Sequence, residues 1–437
     1  MNPPSSIDPR TRRRSLLAAS FGNTLEWYEW SIYGVFTPFI AMAMFDSEDK
    51  VSALLAALGV FAAGFLMRPL GGIFFGRLAD RVGRKAVLVT TLLLMGAGCF
   101  ATGLAPTFDQ VGVWASMILL LARLVQGFAH GGESAAATTY IAELGPDGKR
   151  GLWSSAYFAA LLFGTVVAVF VGLMLILAVG EQAVAEGAWR YPFLLGGVLA
   201  IVVLFLRRGM HETEAYETYR EEQADQVPAS GPKQSMLRPA ITVMALICGL
   251  TVSQYTWLSY VLTHAIVHTG MSAKDGYLSM IVAMLIAMAF LPLWGKLSDR
   301  IGRRPMFIGF AVVFAVLHFP LMNMINSKPS SLMIAASIAL VVITSTGAIQ
   351  STTMAELFPT RSRSLGIGLA FSLSVAIFGG TAPYLNEWFD SMGAAWVANL
   401  YVVIAVLVTG VAAWFMPEGK NIDMANVGQK VTAAQQA

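Results

Sequence analysis

The sequence predicts an all-α membrane protein, with twelve transmembrane helices in two pseudo-symmetric six-helix halves. Three observations lead there. The 437 residues are 56% hydrophobic and only 13% charged, with a mean hydropathy of +0.64, whereas soluble domains carry about 25% charged residues. Twelve mostly apolar runs follow one another, each near the ~20 residues needed to cross a bilayer. The charged loop Gly76-Arg-Leu-Ala-Asp80-Arg81-Val-Gly83-Arg84-Lys85 returns as Gly295-Lys-Leu-Ser-Asp299-Arg300-Ile-Gly302-Arg303-Arg304, 219 residues later, with six of ten positions identical. A repeat at half the chain length means two related halves rather than a solenoid. Many secondary transporters are built from repeated apolar halves.

Span 1 (16–43) follows the basic run Arg12-Arg13-Arg14 and carries Glu26 and Glu29. Spaced i, i+3, these two acids share a helix face. At 1.5 Å per residue, Glu26 lies roughly 15 Å into the span. The acids break up any clean apolar leader core, so no cleavable signal is expected. Span 2 (51–75) carries Arg68 two turns before Gly76, too deep for casual anchoring, although a long arginine can snorkel. The first signature loop follows, and then span 3 (86–105). Span 4 (110–142) holds Arg123, Gln126, His130 and Glu133, with His130 seven residues beyond Arg123 on nearly the same face. Its Gly127 and Gly131 form a small-xxx-small stripe that lets another helix approach closely. Span 4 closes on Ala142-Glu143-Leu144, before Pro146 and Arg150. Spans 5 (152–179) and 6 (189–207) complete an N-terminal half at 1–208.

A polar stretch at 209–236, with Glu221-Glu222, Pro228 and Gly231-Pro232, reads as a linker. The C-terminal half at 237–416 then repeats the plan. Span 7 (239–268) presents Gln254, Tyr255, Trp257, Tyr260 and His264. Span 8 (275–295) leads into the second signature loop, and span 9 (305–325) follows it. Span 10 (330–355) holds Gln350 and closes on Ala355-Glu356-Leu357, before Pro359, Arg361 and Arg363, echoing the close of span 4. Spans 11 (364–386) and 12 (393–416) end the half, leaving a short tail at 417–437. Cys99 and Cys248 lie in apolar spans without metal-ligand spacing and read as packing thiols. No metal or cofactor is expected.

Orientation follows from counting basic residues. With the N-terminus in the cytoplasm, inside segments hold 23 Lys and Arg and outside segments hold four. That asymmetry predicts a multi-pass inner-membrane protein with both termini cytoplasmic. The chemistry follows from the charges left inside the spans. Such groups cost several kcal/mol on insertion scales and by default face a cavity. Arginine stays charged and offers a fixed fork of donors that matches a carboxylate. Arg68 and Arg123 therefore suit an anionic substrate, although Arg123 also fits a structural ion pair with Glu26 or Glu29. Two close carboxylates in low dielectric cannot easily both ionise, which suits proton coupling. The second half offers amides and aromatics instead, with Gln254 and Tyr255 the candidates facing the charged half.

These residues together resemble the metabolite:proton symporter branch of the major facilitator superfamily. The signature loops carry the superfamily pattern. The branch pattern appears in Gly22-Asn23-Thr-Leu-Glu26-Trp27-Tyr-Glu29, in Gly64 to Gly71 and in Arg123 to Glu133. It appears again in Ala355 to Arg363 and in Ala376 to Ala382. Glu29 stands where the branch usually has Asp, and His130 where it commonly has a small residue. Within the branch, Gly59 to Arg68 and Leu119 to Gln126 look most like α-ketoglutarate permeases. Citrate carriers share part of this. Osmolyte carriers resemble it too, but they often bear a long coiled coil.

The resemblance implies a twelve-helix, proton-coupled importer of a small organic acid, such as the dicarboxylate α-ketoglutarate, working by alternating access as a monomer. Citrate, shikimate, aromatic acids and betaine are the alternative substrates. Arg123, Arg68, Gln126, Tyr255 and Gln254 are the expected substrate contacts, and Glu26, Glu29, Glu133 and His130 the expected proton carriers. The resemblance also implies a cytoplasmic gate of Gly76, Asp80, Arg81, Gly83, Arg84, Glu143 and Arg150, with Gly295, Asp299, Arg300, Gly302, Arg303, Glu356 and Arg361 in the other half. Partners are then the substrate anion, protons and the lipid bilayer, and no nucleic acid. A non-transporting sensor would need an output domain, which the sequence lacks. An enzyme is not expected, because no nucleophile–base pair or phosphate loop is present.

Overall fold

The computed structural model describes residues 9–46, 49–82, 84–146, 148–208, 236–359, 363–420 and 422. The expected linker lies outside them save Met236. The described residues form helices and no strand. Among the described residues, nine helices are long and apolar enough to cross a membrane. The apolar helices Val89–Leu104 and Arg190–Val202, with the helix Pro9–Met44, stand where the other three spans are expected. Large side chains such as Leu66, Phe74, Trp114, Leu121 and Trp414 point outward. An apolar outer surface of that extent requires lipid rather than water.

Helix starts follow local chemistry. Asp49 caps span 2 by accepting from the backbone N–H of Val51 at 3.0 Å and Ser52 at 3.2 Å. Ser272 Oγ caps span 8 by accepting from Asp275 N–H at 3.1 Å. These side chains satisfy donors that a helix N-terminus cannot pair internally.

The small-residue stripe of span 4 does what its spacing predicts. A Cβ on Gly127 would overlap the Gly64 carbonyl, and one on Gly131 would overlap the Arg68 carbonyl. Spans 2 and 4 therefore touch backbone to backbone. That contact seats Arg68 beside the helix bearing Arg123. Gly131→Val should lower the melting temperature of the purified protein and its yield, since overpacking costs about 1–3 kcal/mol or more. A melting temperature equal to that of the parent would contradict the contact.

Four spans are interrupted near their middles. Span 2 is divided at Met67, between Lys50–Leu66 and Arg68–Val82. Span 7 passes through a π turn at Thr256–Tyr260, just after Tyr255. Span 10 breaks between Pro329–Gly347 and Gln350–Leu357. Span 11 passes through a π turn at Val375–Gly379. Such irregular turns gather at functional sites. Here Arg68, Tyr255, Gln350 and Val375 all line one central cavity.

Candidate functional site

The central cavity lies between the halves and measures about 50 Å³. The N-terminal half contributes Asn23, Trp27, Arg68 and His130, and the C-terminal half contributes Gln254, Tyr255 and Gln350. A larger groove of about 470 Å³, lined by Arg238, Ile241 and Phe415, opens on the apolar outer surface. The central cavity combines apolar walls with convergent polar groups from both halves, the usual make-up of a small-molecule site.

Arg68 and Arg123 are 3% and 1% exposed. Both guanidiniums lie against Trp30, with Arg68 Cζ 4.1 Å and Arg123 Cζ 4.9 Å from the ring centroid. Arg68 also lies 4.3 Å from the Phe65 ring, and Arg123 3.9 Å from the Tyr33 ring. Aromatic faces stabilise buried cations without using their N–H groups. Nε and Nη2 of both arginines have no hydrogen-bond partner among the described residues. Buried donors left this way cost about 1–3 kcal/mol each, more when charged.

The structure separates the roles that sequence gave to neighbouring residues. Arg68 lines the cavity, while Arg123 lies behind it and is not among the lining residues. Arg123 Nη1 donates to Gln126 Oε1 at 3.0 Å. Gln126 Nε2 in turn contacts Cys99 Sγ at 3.3 Å, and its side chain packs against Gly98. Gln126 thus holds Arg123 from the side of span 3 instead of lining the cavity.

Glu26 and Glu29 also part company. Glu26 Oε1 sits 2.8 Å from His130 Nδ1, and it is near enough to Arg68 to interact with it electrostatically. Glu29 faces Cys99 and Gly196 of spans 3 and 6. Tyr255 lies within hydrogen-bonding reach of Arg68. Its ring stacks on Trp27, with centroids 6.3 Å apart and planes at 28°. Gln254 is buried beside it and lines the cavity. Trp27, Trp30 and Tyr33 went unassigned in the sequence. Their signal was an aromatic at three-residue spacing around Glu26 and Glu29, which reads equally well as packing.

On the face carrying the signature loops, polar contacts run across the halves. Asp299 accepts from Gly151 N–H at 2.9 Å and Leu152 N–H at 3.1 Å, capping the start of span 5. Arg303 bridges Asp299 Oδ1 at 2.9 Å and both oxygens of Glu356, at 3.1 and 3.2 Å. Arg150 O accepts from Thr352, and Arg150 Nη1 donates to Ile422 O at 2.7 Å. Gly295 fits because its Cβ would meet the Gly151 carbonyl at 2.7 Å. Gly302 has φ +103°, a turn that an L side chain rarely adopts, and Arg300 is exposed.

Glu418, unassigned in the sequence, accepts from Arg303 N–H at 2.7 Å and Arg304 N–H at 3.0 Å. Burial pushes its carboxyl up, but three backbone donors, from Arg303, Arg304 and Lys420, hold it below the ordinary value. Its contribution is therefore full above the ordinary carboxylate pKa and lost as pH falls through the depressed one. At the level of side chains, Gly76, Asp80, Arg81, Gly83, Arg84, Glu133, Glu143 and Arg361 lie outside the described residues.

The halves also meet on the opposite face. Tyr277 O–H of span 8 donates to the Val35 carbonyl of span 1 at 3.0 Å, and Tyr384 of span 11 packs near Gly59 of span 2. Nearby, the fold gathers His264, His268 and Asp390, a grouping that sequence spacing did not offer.

Comparison with known proteins agrees with this architecture. The Major Facilitator Superfamily pattern matches residues 19–383 and 278–430. The alpha-ketoglutarate permease of Escherichia coli (strain K12) is 34% identical over 411 residues, covering 93% of this chain and 94% of that one. The proline/betaine transporter of the same strain is 35% identical over 422 residues, covering 93% and 84%. The citrate-proton symporter of Salmonella typhi is 32% identical over 385 residues, covering 85% and 86%. Among solved structures, the proton:xylose symporter XylE bound to 6-bromo-6-deoxy-D-glucose superposes with a TM-score of 0.72 at 20% identity, covering 95% of this chain and 98% of that one. The helical architecture, the buried charge at its centre and these matches together show that this chain belongs to the Major Facilitator Superfamily and is a multi-pass membrane transporter.

Proposed function

We propose that the protein is a proton-coupled importer of a small organic anion, a dicarboxylate such as α-ketoglutarate, working by alternating access. One observation carries this reading: two buried guanidiniums flank a single tryptophan and keep four nitrogens without partners among the described residues. Such a pair calls for an anion, and a carboxylate matches the guanidinium fork. Arg68 takes the substrate carboxylate, with Tyr255 and Gln254 completing the contact from the other half. Arg123 adds positive potential from behind, held by Gln126.

The Glu26–His130 pair holds the coupled proton. Substrate on Arg68 removes the counter-charge from Glu26, which then takes up a proton. The two travel inward together and leave together. Glu29 and Glu133 are the reserve carriers. The halves at 1–208 and 237–416 rock about this site on the linker at 209–236. The cycle runs in a monomer in the inner membrane with both termini cytoplasmic, and the signature loops close the cytoplasmic side.

A second reading has one observation in its favour. The stacked Trp27 and Tyr255 rings at the cavity suit a quaternary ammonium, which aromatic faces bind well, and a proline/betaine transporter is among the relatives. Uptake of radiolabelled α-ketoglutarate and of betaine into proteoliposomes, with and without an inward proton gradient, separates the two. Gradient-driven accumulation of the dicarboxylate is expected. Accumulation of betaine alone would shift the assignment to osmolytes. In the same assay, Glu26→Gln should lose gradient-driven accumulation while keeping exchange of labelled for unlabelled substrate. Retained accumulation with an unchanged pH profile would move the proton to another carboxylate.

A further inference from the structure

On the face opposite the signature loops, span 7 ends in His264 and His268, spaced i, i+4 on one helix side. Span 11 brings Glu387 and Asp390 against them, spaced i, i+3. His264 Nδ1 lies 2.9 Å from Asp390 Oδ2. His268 Nε2 lies 3.0 Å from Glu387 Oε2 and 3.6 Å from Asp390 Oδ2. The ligand atoms of His264, His268 and Asp390 all fall within 4.8 Å of one another. Tyr260 O–H donates to Asp390 Oδ2 at 3.0 Å, an outer contact that orients this carboxylate. Glu387 is fully buried, and His268 approaches both of its oxygens. A buried carboxylate needs a positive partner.

From this constellation we infer a binding site for a divalent transition metal of the Zn²⁺ type, with His264, His268 and Asp390 as ligands and the buried Glu387 beside His268. Zinc binds imidazole nitrogen and carboxylate oxygen at about 2.0–2.2 Å, which sets tetrahedral ligand–ligand separations of roughly 3.3 Å. The two contacts of Asp390 Oδ2 to the imidazoles, 2.9 Å to His264 and 3.6 Å to His268, bracket that value. Imidazole with carboxylate favours Zn²⁺ over Mg²⁺ or Ca²⁺, which take oxygen ligands in larger number. The ligands come from two different helices, so the ion clamps span 7 to span 11. Those helices also pack against spans 1 and 2 of the other half. Bound metal therefore stiffens the closure opposite the signature loops and slows the opening there.

The test is Zn²⁺ binding to the purified, detergent-solubilised protein by equilibrium dialysis with metal analysis. One ion per chain at micromolar Zn²⁺ is expected, weakened at least ~10-fold in His268→Gln and in Asp390→Asn. No binding at millimolar Zn²⁺, or binding unchanged in the double variant H264Q/H268Q, overturns the site. Substitution by Co²⁺ needs no mutant. Intense visible bands of a tetrahedral ion support the assignment, and a weak octahedral spectrum contradicts it. A final arm measures transport and rests on the transporter reading. Zn²⁺ should slow uptake by the parent protein more than by His268→Gln, while the binding arms stand even where no substrate is found.

Discussion

Arg68→Lys is expected to lower uptake of the proposed substrate, α-ketoglutarate, by at least ~30-fold, although the positive charge is retained. Lysine carries a compact point charge and cannot present two parallel donors to a carboxylate. Truncating one partner of a buried, hydrogen-bonded charge pair costs about 2–5 kcal/mol, which is ~30- to several thousand-fold. The guanidinium also sits over Trp30 and Phe65, with Cζ 4.1 and 4.3 Å from the ring centroids, and arginine makes such ring contacts more often than lysine. Arg123→Lys behaves differently. Arg123 is one layer behind the cavity and anchored by Gln126, so its replacement should cost less in binding and more in stability. The measurement is initial uptake rate and substrate affinity for both variants, with melting temperatures alongside. Equal loss in the two, or full activity of Arg68→Lys, would show that Arg68 does not take the carboxylate.

The sequence made the spans, the halves and the buried charges readable because each is a local property. Apolar runs are local, and so is the glycine spacing at Gly127 and Gly131, which led to the contact with span 2. What was not readable depended on which neighbour a face meets. Glu26 and Glu29 share a face at i, i+3, but that spacing still leaves them about 60° apart around the helix. The difference is enough to turn one to His130 and the other toward Cys99. Gln126, one turn from Arg123, looked like a substrate ligand but is drawn into the groove left by Gly98. The breaks at Met67, Thr256–Tyr260 and Val375–Gly379 leave no mark in hydropathy, because they occur within apolar runs. His268 and Glu387 are 119 residues apart, and the approach of span 11 to span 7 joins them.

Asp299 is where that kind of distant contact matters most. The resemblance implies a place for Asp299 in the cytoplasmic gate without naming its partner. In the structure Asp299 also reaches the other half, where both its oxygens accept from the first free N–H groups of span 5. A carboxylate there meets the positive end of the helix dipole and at the same time balances Arg303. Asp299→Ala removes both links. It takes the Asp299 acceptor from the Gly151 and Leu152 donors and leaves Arg303 with Glu356 as its remaining carboxylate, beside Ser298 Oγ. Removing one partner from a buried charge network costs about 3–5 kcal/mol. That loss should fall on the state in which the signature-loop side is shut, so the outward-open form becomes scarce. Uptake should drop at least ~10-fold. A cysteine introduced near Gly151 should at the same time label faster from the loop side. Arg300→Ala is the matched control. Its side chain is exposed in the same loop, and surface ion pairs are worth about 0–1 kcal/mol, so uptake should stay within a few-fold of the parent. If Asp299→Ala transports normally with labelling unchanged, the cross-half cap is packing without a share in the cycle. If Arg300→Ala is as damaging as Asp299→Ala, the loop acts through its net charge rather than through this one carboxylate.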